Sequence, residues 1–164
     1  MSTELVLAYD HPEEIRELFN EYTEMLVRED PHVAAFLELQ HYDDELKHLE
    51  KKYGLPDGRL YLAFVDGTAA GTVGLRKLDE NCGELKRLYV KPEFRGRRLG
   101  KQLTERIILD AKSIGYTELR LDTLPFLKRA IHMYQELGFV PIERYNDSPM
   151  DTSIYLSLDL KQRR

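Results

Sequence analysis

The 164-residue sequence predicts an α/β (α+β) protein, with one mixed sheet in the order βααβββαβαββ and helices on both faces. Three observations predict it. Glu84 to Thr123 reads as strand, basic turn, long amphipathic helix and strand, the pattern of a parallel crossover. Asp66-Gly67 lies between two apolar runs and is a strong hairpin signal, so the strands before the crossover form an antiparallel meander. Ile154, Leu156, Leu158 and Leu160 alternate with Tyr155, Ser157 and Asp159, which makes a regular final strand.

The remaining elements follow in chain order. Leu5 to Ala8 is a short first strand. A helix opens at Asp10-His11-Pro12-Glu13, with Asp10 as cap and Glu13 completing a capping box. Ile15, Leu18, Phe19, Tyr22 and Leu26 hold helical spacing until Asp30-Pro31 breaks it. A second helical segment, in one or two pieces, runs from about Val33 to Tyr53, with Leu39, Tyr42, Leu46, Leu49 and Tyr53 as its apolar stripe. Leu60–Val65 and Thr68–Leu78 are the hairpin strands, and Gly71 and Gly74 thin the side chains of the second. Leu85–Val90 is a strand that Pro92 stops, because proline has no N–H to donate. Leu99, Leu103, Ile107, Ala111 and Ile114 share one face of the next helix, and Gly115 follows as its C′ residue. Glu118–Thr123 is a strand, Pro125–Leu137 the last helix with Gly138 at C′, and Phe139–Tyr145 the strand before the final one. No repeat or linker divides residues 1–164, so a single domain is expected.

Composition narrows the function. A net charge of −5 argues against general affinity for nucleic acid or an anionic membrane. The chain has one cysteine, Cys82, and no Cys/His zinc spacing, which leaves no disulfide framework. His41, Asp44 and His48 share a helix face, but a solvated polar face explains them better than metal. There is no leader-like apolar run and no stretch long enough to span a bilayer, so a soluble, cytoplasmic protein is the default.

Against this acidic background one stretch is basic. Lys86, Arg87, Lys91, Arg95, Arg97, Arg98, Lys101 and Arg106 face only Glu84, Glu93 and Glu105. Its turn, Arg95-Gly96-Arg97-Arg98-Leu99-Gly100, opens a helix. A helix N-terminus offers unpartnered N–H groups and partial positive charge, glycine lets a ligand approach the backbone, and arginine adds forked donors. Such a turn suits a phosphate or pyrophosphate. A P-loop is excluded by spacing, since Gly96 and Gly100 enclose too few residues and Gln102 follows Lys101.

The element order, the run Glu84-Leu85-Lys86-Arg87-Leu88-Tyr89-Val90, the Arg95–Gly100 turn and the ending Ala130, Tyr134, Gly138-Phe139 together resemble the GNAT acyltransferases, a superfamily of N-acetyltransferases. The resemblance covers nearly the whole chain. The ELKRLYV, LRLDTLP and YGLPDGRLYLA stretches look like a common bacterial branch of unassigned substrate. Two positions depart from the pattern: Arg98 stands where the turn has its inner glycine, and Leu127 where an asparagine often precedes the last helix's alanine.

The resemblance implies acetyl-CoA as donor. Leu88, Tyr89 and Val90 would offer backbone groups to the pantetheine arm. Arg95, Gly96, Arg97, Arg98, Leu99, Gly100 and Lys101 would hold the pyrophosphate, and the fourth and fifth strands would splay to admit the thioester. Glu84 resembles the family's base, acting directly or through water. It lies four residues before Leu88, which in a regular strand places both on one face. Tyr134 resembles the general acid, since a phenol stays protonated at neutral pH and can give its proton to a thiolate. Arg76 or Arg87 could hold a carboxylate of the acceptor, and Asp122 either borders the cleft or caps the turn before Pro125. The expected acceptor is a primary amine of a small molecule, because the Val33–Tyr53 segment and the loop after it look able to cover the acceptor end. A protein lysine or N-terminus would need an open peptide groove. A non-catalytic acyl-CoA-binding module is disfavoured by the presence of both Glu84 and Tyr134. Family habit leans toward a homodimer.

Overall fold

The computed structural model describes residues 2–34, 45, 47–146 and 152–161. Their elements are β1 (Thr3–Leu7), α1 (Pro12–Glu29), α2 (Leu49–Tyr53), β2 (Arg59–Val65), β3 (Thr68–Asp79), β4 (Cys82–Val90), α3 (Leu99–Ile114), β5 (Glu118–Thr123), α4 (Lys128–Glu136), β6 (Val140–Pro141) and β7 (Ile154–Asp159). Most of the second helical segment expected from Val33, with His41 and Asp44, lies outside the described residues. Among the described residues no cluster of His, Cys, Asp and Glu is arranged to hold a metal, and no helix is long and apolar enough to cross a membrane.

The strands form one mixed seven-stranded sheet in the order β1-β2-β3-β4-β5-β7-β6. β1 to β4 are antiparallel neighbours, β4 and β5 are parallel, and β7 lies antiparallel between β5 and β6. One face packs on α3 through Leu75, Leu85, Leu103, Ile107, Leu119 and Leu121. The other packs on α1 through Ile15, Leu18, Phe19, Tyr53, Leu60 and Leu62. The two apolar faces explain why β2 reads Leu-Tyr-Leu-Ala-Phe-Val without alternation.

Four local expectations change. Helix α1 is capped by His11 without a side-chain hydrogen bond, not by Asp10 in a capping box. Pro12 takes the first helical position, where its fixed φ and missing N–H cost nothing. Helix α4 starts at Lys128 rather than Pro125, and β6 is reduced to Val140–Pro141, where proline offers no donor to extend the ladder.

The fourth change matters most for the site. Gly74 pairs with Lys86 and Thr72 with Tyr89, so β4 carries one residue more than β3 across that interval. This is a β-bulge, and Arg87 occupies it with φ +60°. Regular alternation is broken, so Leu85 and Leu88 both pack on the α3 side, while Tyr89 joins the α1-side core. Glu84 therefore does not share a face with Leu88, and it points to the α1 side.

Candidate functional site

β4 and β5 pair only from Cys82/Glu118 to Glu84/Arg120. Beyond that rung the two strands part, leaving the β5-facing backbone of Leu85–Val90 without a neighbouring strand. A cleft of about 810 Å³ fills the opening. Residues of both sheet faces line it, Tyr22, Met25 and Leu26 from α1 and Leu99, Met133 and Tyr134 from the α3 side. The opening thus runs through the sheet.

One end of the cleft is the start of α3. Leu88, Tyr89, Val90, Arg95, Gly96, Arg98, Leu99, Gly100 and Lys101 line it, and Arg97 does not. The Arg97 guanidinium lies 5.5 Å from the Phe94 ring centre. Arg95 turns back, donating from Nε to the Val90 carbonyl at 3.1 Å. Gly96 has φ +86°, and Arg98, the residue just before the helix, has φ +61°. The pattern's inner glycine position is therefore a left-handed one, which the arginine adopts at a cost of about 1 kcal/mol. No side chain caps α3, so its first N–H groups are available to a ligand.

At the apex of the opening, the last rung shared by β4 and β5, is Glu84, 1% exposed and not among the residues that line the cleft. Arg76 Nε donates to one oxygen at 2.6 Å and the Tyr145 hydroxyl to the other at 2.6 Å. Burial pushes this carboxyl up, but the Lys86 charge, the Tyr145 bond and Arg76 outweigh it and hold it below its ordinary value. Glu84 is ionised at neutral pH. Tyr134, from α4, is buried against Phe139, with ring centres 5.5 Å apart, and borders the cleft. Its hydroxyl makes no hydrogen bond among the described residues. Burial, with the nearby Tyr22 and Asp122, pushes the phenol well up, so it keeps its proton across the working pH range. Asp122 borders the cleft from β5 and accepts a bond from Asn146 Nδ2 at 3.0 Å.

The two arginines of interest for a substrate carboxylate are both engaged. Arg76 is tied to Glu84. Arg87 is buried at the bulge and grips Glu45 with Nε at 2.8 Å and Nη2 at 2.9 Å. Glu45 also accepts from Lys52 at 2.8 Å and from the Tyr53 hydroxyl at 3.0 Å. Burial pushes Glu45 up, yet Arg87 and Lys52 bring it down to about 2. Burial and the neighbouring Lys86 charge push Lys52 down to about 8, although Glu45 pulls it the other way. An added Cβ at Gly74 would come within 2.8 Å of the Tyr53 ring, so that glycine leaves the room the ring occupies against β3. Glu45, Tyr53 and Tyr145 were not singled out as site residues from the sequence. They come from distant segments, and no local motif announces them.

The comparisons with known proteins bear on this geometry. The model of the Acetyltransferase (GNAT) family matches residues 13–139, which include the opening between β4 and β5 and the start of α3. The chain belongs to the GNAT family. An uncharacterised N-acetyltransferase of Schizosaccharomyces pombe is 38% identical over 77% of this chain and 78% of its own length. Another, of Dictyostelium discoideum, is 30% identical over 98% of this chain and all of its own. The similarity is thus not confined to bacteria. Among solved structures, a Streptococcus agalactiae acetyltransferase superposes with TM-score 0.76 at 25% identity, covering 96% of this chain and 98% of its own. A GNAT acetyltransferase of Elizabethkingia anophelis, solved with acetyl-CoA bound, superposes with TM-score 0.55 at 25% identity over 63% of this chain and 76% of its own. This GNAT protein is an acyltransferase with acetyl-CoA as its cosubstrate. The cleft suits that molecule in volume, in its open strand edge and in its uncapped, basic helix start.

Proposed function

We propose that the protein transfers the acetyl group of acetyl-CoA to a primary amine of a small molecule by direct attack. Leu88, Tyr89 and Val90 offer backbone groups to the pantetheine arm like a neighbouring strand, and Arg95 to Lys101 hold the pyrophosphate. The amine enters from the α1 side and loses a proton to Glu84 through water, since both carboxylate oxygens already accept bonds. Its nitrogen bonds to the thioester carbonyl carbon, the C–S bond breaks, and Tyr134 gives its proton to the departing thiolate. The products are the N-acetyl amine and CoA. The nitrogen sheds its second proton to solvent as the intermediate collapses, Glu84 releases the first, and the Tyr134 phenolate takes one back.

The observation that carries this reading is the opening through the sheet, with Glu84 at its apex behind the lining residues and, on its wall, Tyr134, whose hydroxyl makes no hydrogen bond among the described residues. The test is release of CoA thiol from acetyl-CoA against a panel of amines, amino acids, polyamines and aminoglycosides, with a lysine-bearing peptide as comparison. Transfer to a small amine supports the reading. Transfer to the peptide alone, or acetyl-CoA binding with no transfer at all, would overturn it.

A further inference from the structure

Resting on that reading, the geometry points to an acceptor that carries a carboxylate beside its amine, an amino acid or a close relative, with Lys86 as counter-ion of the carboxylate. The last rung of β4 and β5 is Glu84/Arg120. Two residues further along each strand stand Lys86 and Asp122. Leu119 and Leu121 face α3, so Asp122 falls on the face of β5 opposite them, and Lys86 precedes the bulge, so it shares the face of Glu84. Both border the cleft. They are a cation and an anion on opposite banks of the opening, on the side from which the acceptor approaches Glu84.

Because the strands have parted, the two do not pair with each other. Lys86 makes no hydrogen bond or ion pair through its ammonium among the described residues, and Asp122 makes only its bond from Asn146. The surrounding charge adds to the argument. Arg76 is bound to Glu84, Arg87 and Lys52 are bound to Glu45, and Lys86 is a further cation beside them. The Lys86 charge is felt within the protein, since it opposes the charged form of its neighbour Lys52. A carboxylate on the acceptor would meet Lys86 in a charge-assisted hydrogen bond. Asp122 on the other bank attracts the ammonium form of the amine and brings it toward the apex.

The experiment measures kcat/KM for free amino acids and for their carboxamides, which keep the amine and lose the charge. Wild type is compared with Lys86→Gln and Lys86→Arg, using thiol release from saturating acetyl-CoA. The expected result is a preference of at least tenfold for the acid, abolished in Lys86→Gln through KM for the acceptor and partly kept in Lys86→Arg, with acetyl-CoA affinity held within a few-fold. Lys86 also acts electrostatically on Glu84, but that effect changes both substrates alike and leaves the ratio as the readout. Transfer to amines with no preference for the acid, or an acid-to-carboxamide ratio unchanged in Lys86→Gln, overturns this assignment and leaves the transferase reading standing. Binding of acetyl-CoA without transfer to any amine overturns both.

Discussion

The two ends of the cleft are built from different material. At the start of α3 the ligand would meet backbone N–H groups and exposed cations, all supplied within Val90–Lys101. At the apex stand side chains of β3, β4 and the segment after β6, held by buried ion pairs just behind the residues that line the cleft. A backbone site tolerates changes of side chain because the donors remain. A buried charge network does not, since removing one member strands its partner away from water. Substitutions at the apex should therefore cost turnover or stability heavily, and those at the turn should shift cofactor affinity modestly.

The largest expected effect is on turnover. Glu84→Gln should lower kcat by about 10²–10⁴-fold while acetyl-CoA binding changes little, and the loss should shrink at high pH as the amine deprotonates unaided. Because the Glu84 carboxyl lies below its ordinary value, the acid limb it causes in wild type should appear only below about pH 4.5, the ordinary value itself. A steady-state pH profile of both proteins checks this, and unchanged turnover of Glu84→Gln at neutral pH would remove Glu84 from the mechanism.

Next comes stability. Glu45 titrates at about 2 in the folded chain against an ordinary 4.5, worth roughly 3 kcal/mol of stability. The folded value is depressed, so this stability is fully present above pH 4.5 and is lost as pH falls through about 2. Glu45→Gln should lower the melting temperature by about 10 °C at pH 7, with the gap from wild type closing toward pH 2. Denaturation of both proteins across that range would show a constant gap if the Arg87–Glu45 pair contributes nothing.

The smallest effect belongs to the turn. Arg98→Gly removes the left-handed strain and one exposed cation. It should raise the melting temperature by about 2–4 °C and raise KM for acetyl-CoA only a few-fold, with that difference fading in high salt. A drop in melting temperature would show that the arginine side chain stabilises the turn more than its backbone strains it.

The same contrast explains what the sequence made legible. The strand order, the Asp66-Gly67 hairpin, the crossover and the α3 turn are written in short contiguous patterns, and each is found in the fold. The bulge at Arg87 is not, because no glycine marks its positive φ, and alternation alone put Glu84 on the face of Leu88. Tyr145 and Glu45 were invisible for a related reason. Their roles come from contacts 61 and 42 residues away in the chain, to Glu84 and Arg87. Arg76 and Arg87 looked like candidates for a substrate carboxylate from sequence, since nothing in the chain order shows that each already has a buried carboxylate.

The central claim is that amine and thioester meet across the opening between β4 and β5, with Tyr134 as the proton donor. Tyr134→Phe keeps the ring packed on Phe139 and removes only the hydroxyl. Turnover, as free thiol and N-acetyl product together, should fall about 100-fold or more while the acetyl-CoA dissociation constant stays within about twofold. Wild-type turnover in Tyr134→Phe would contradict the account.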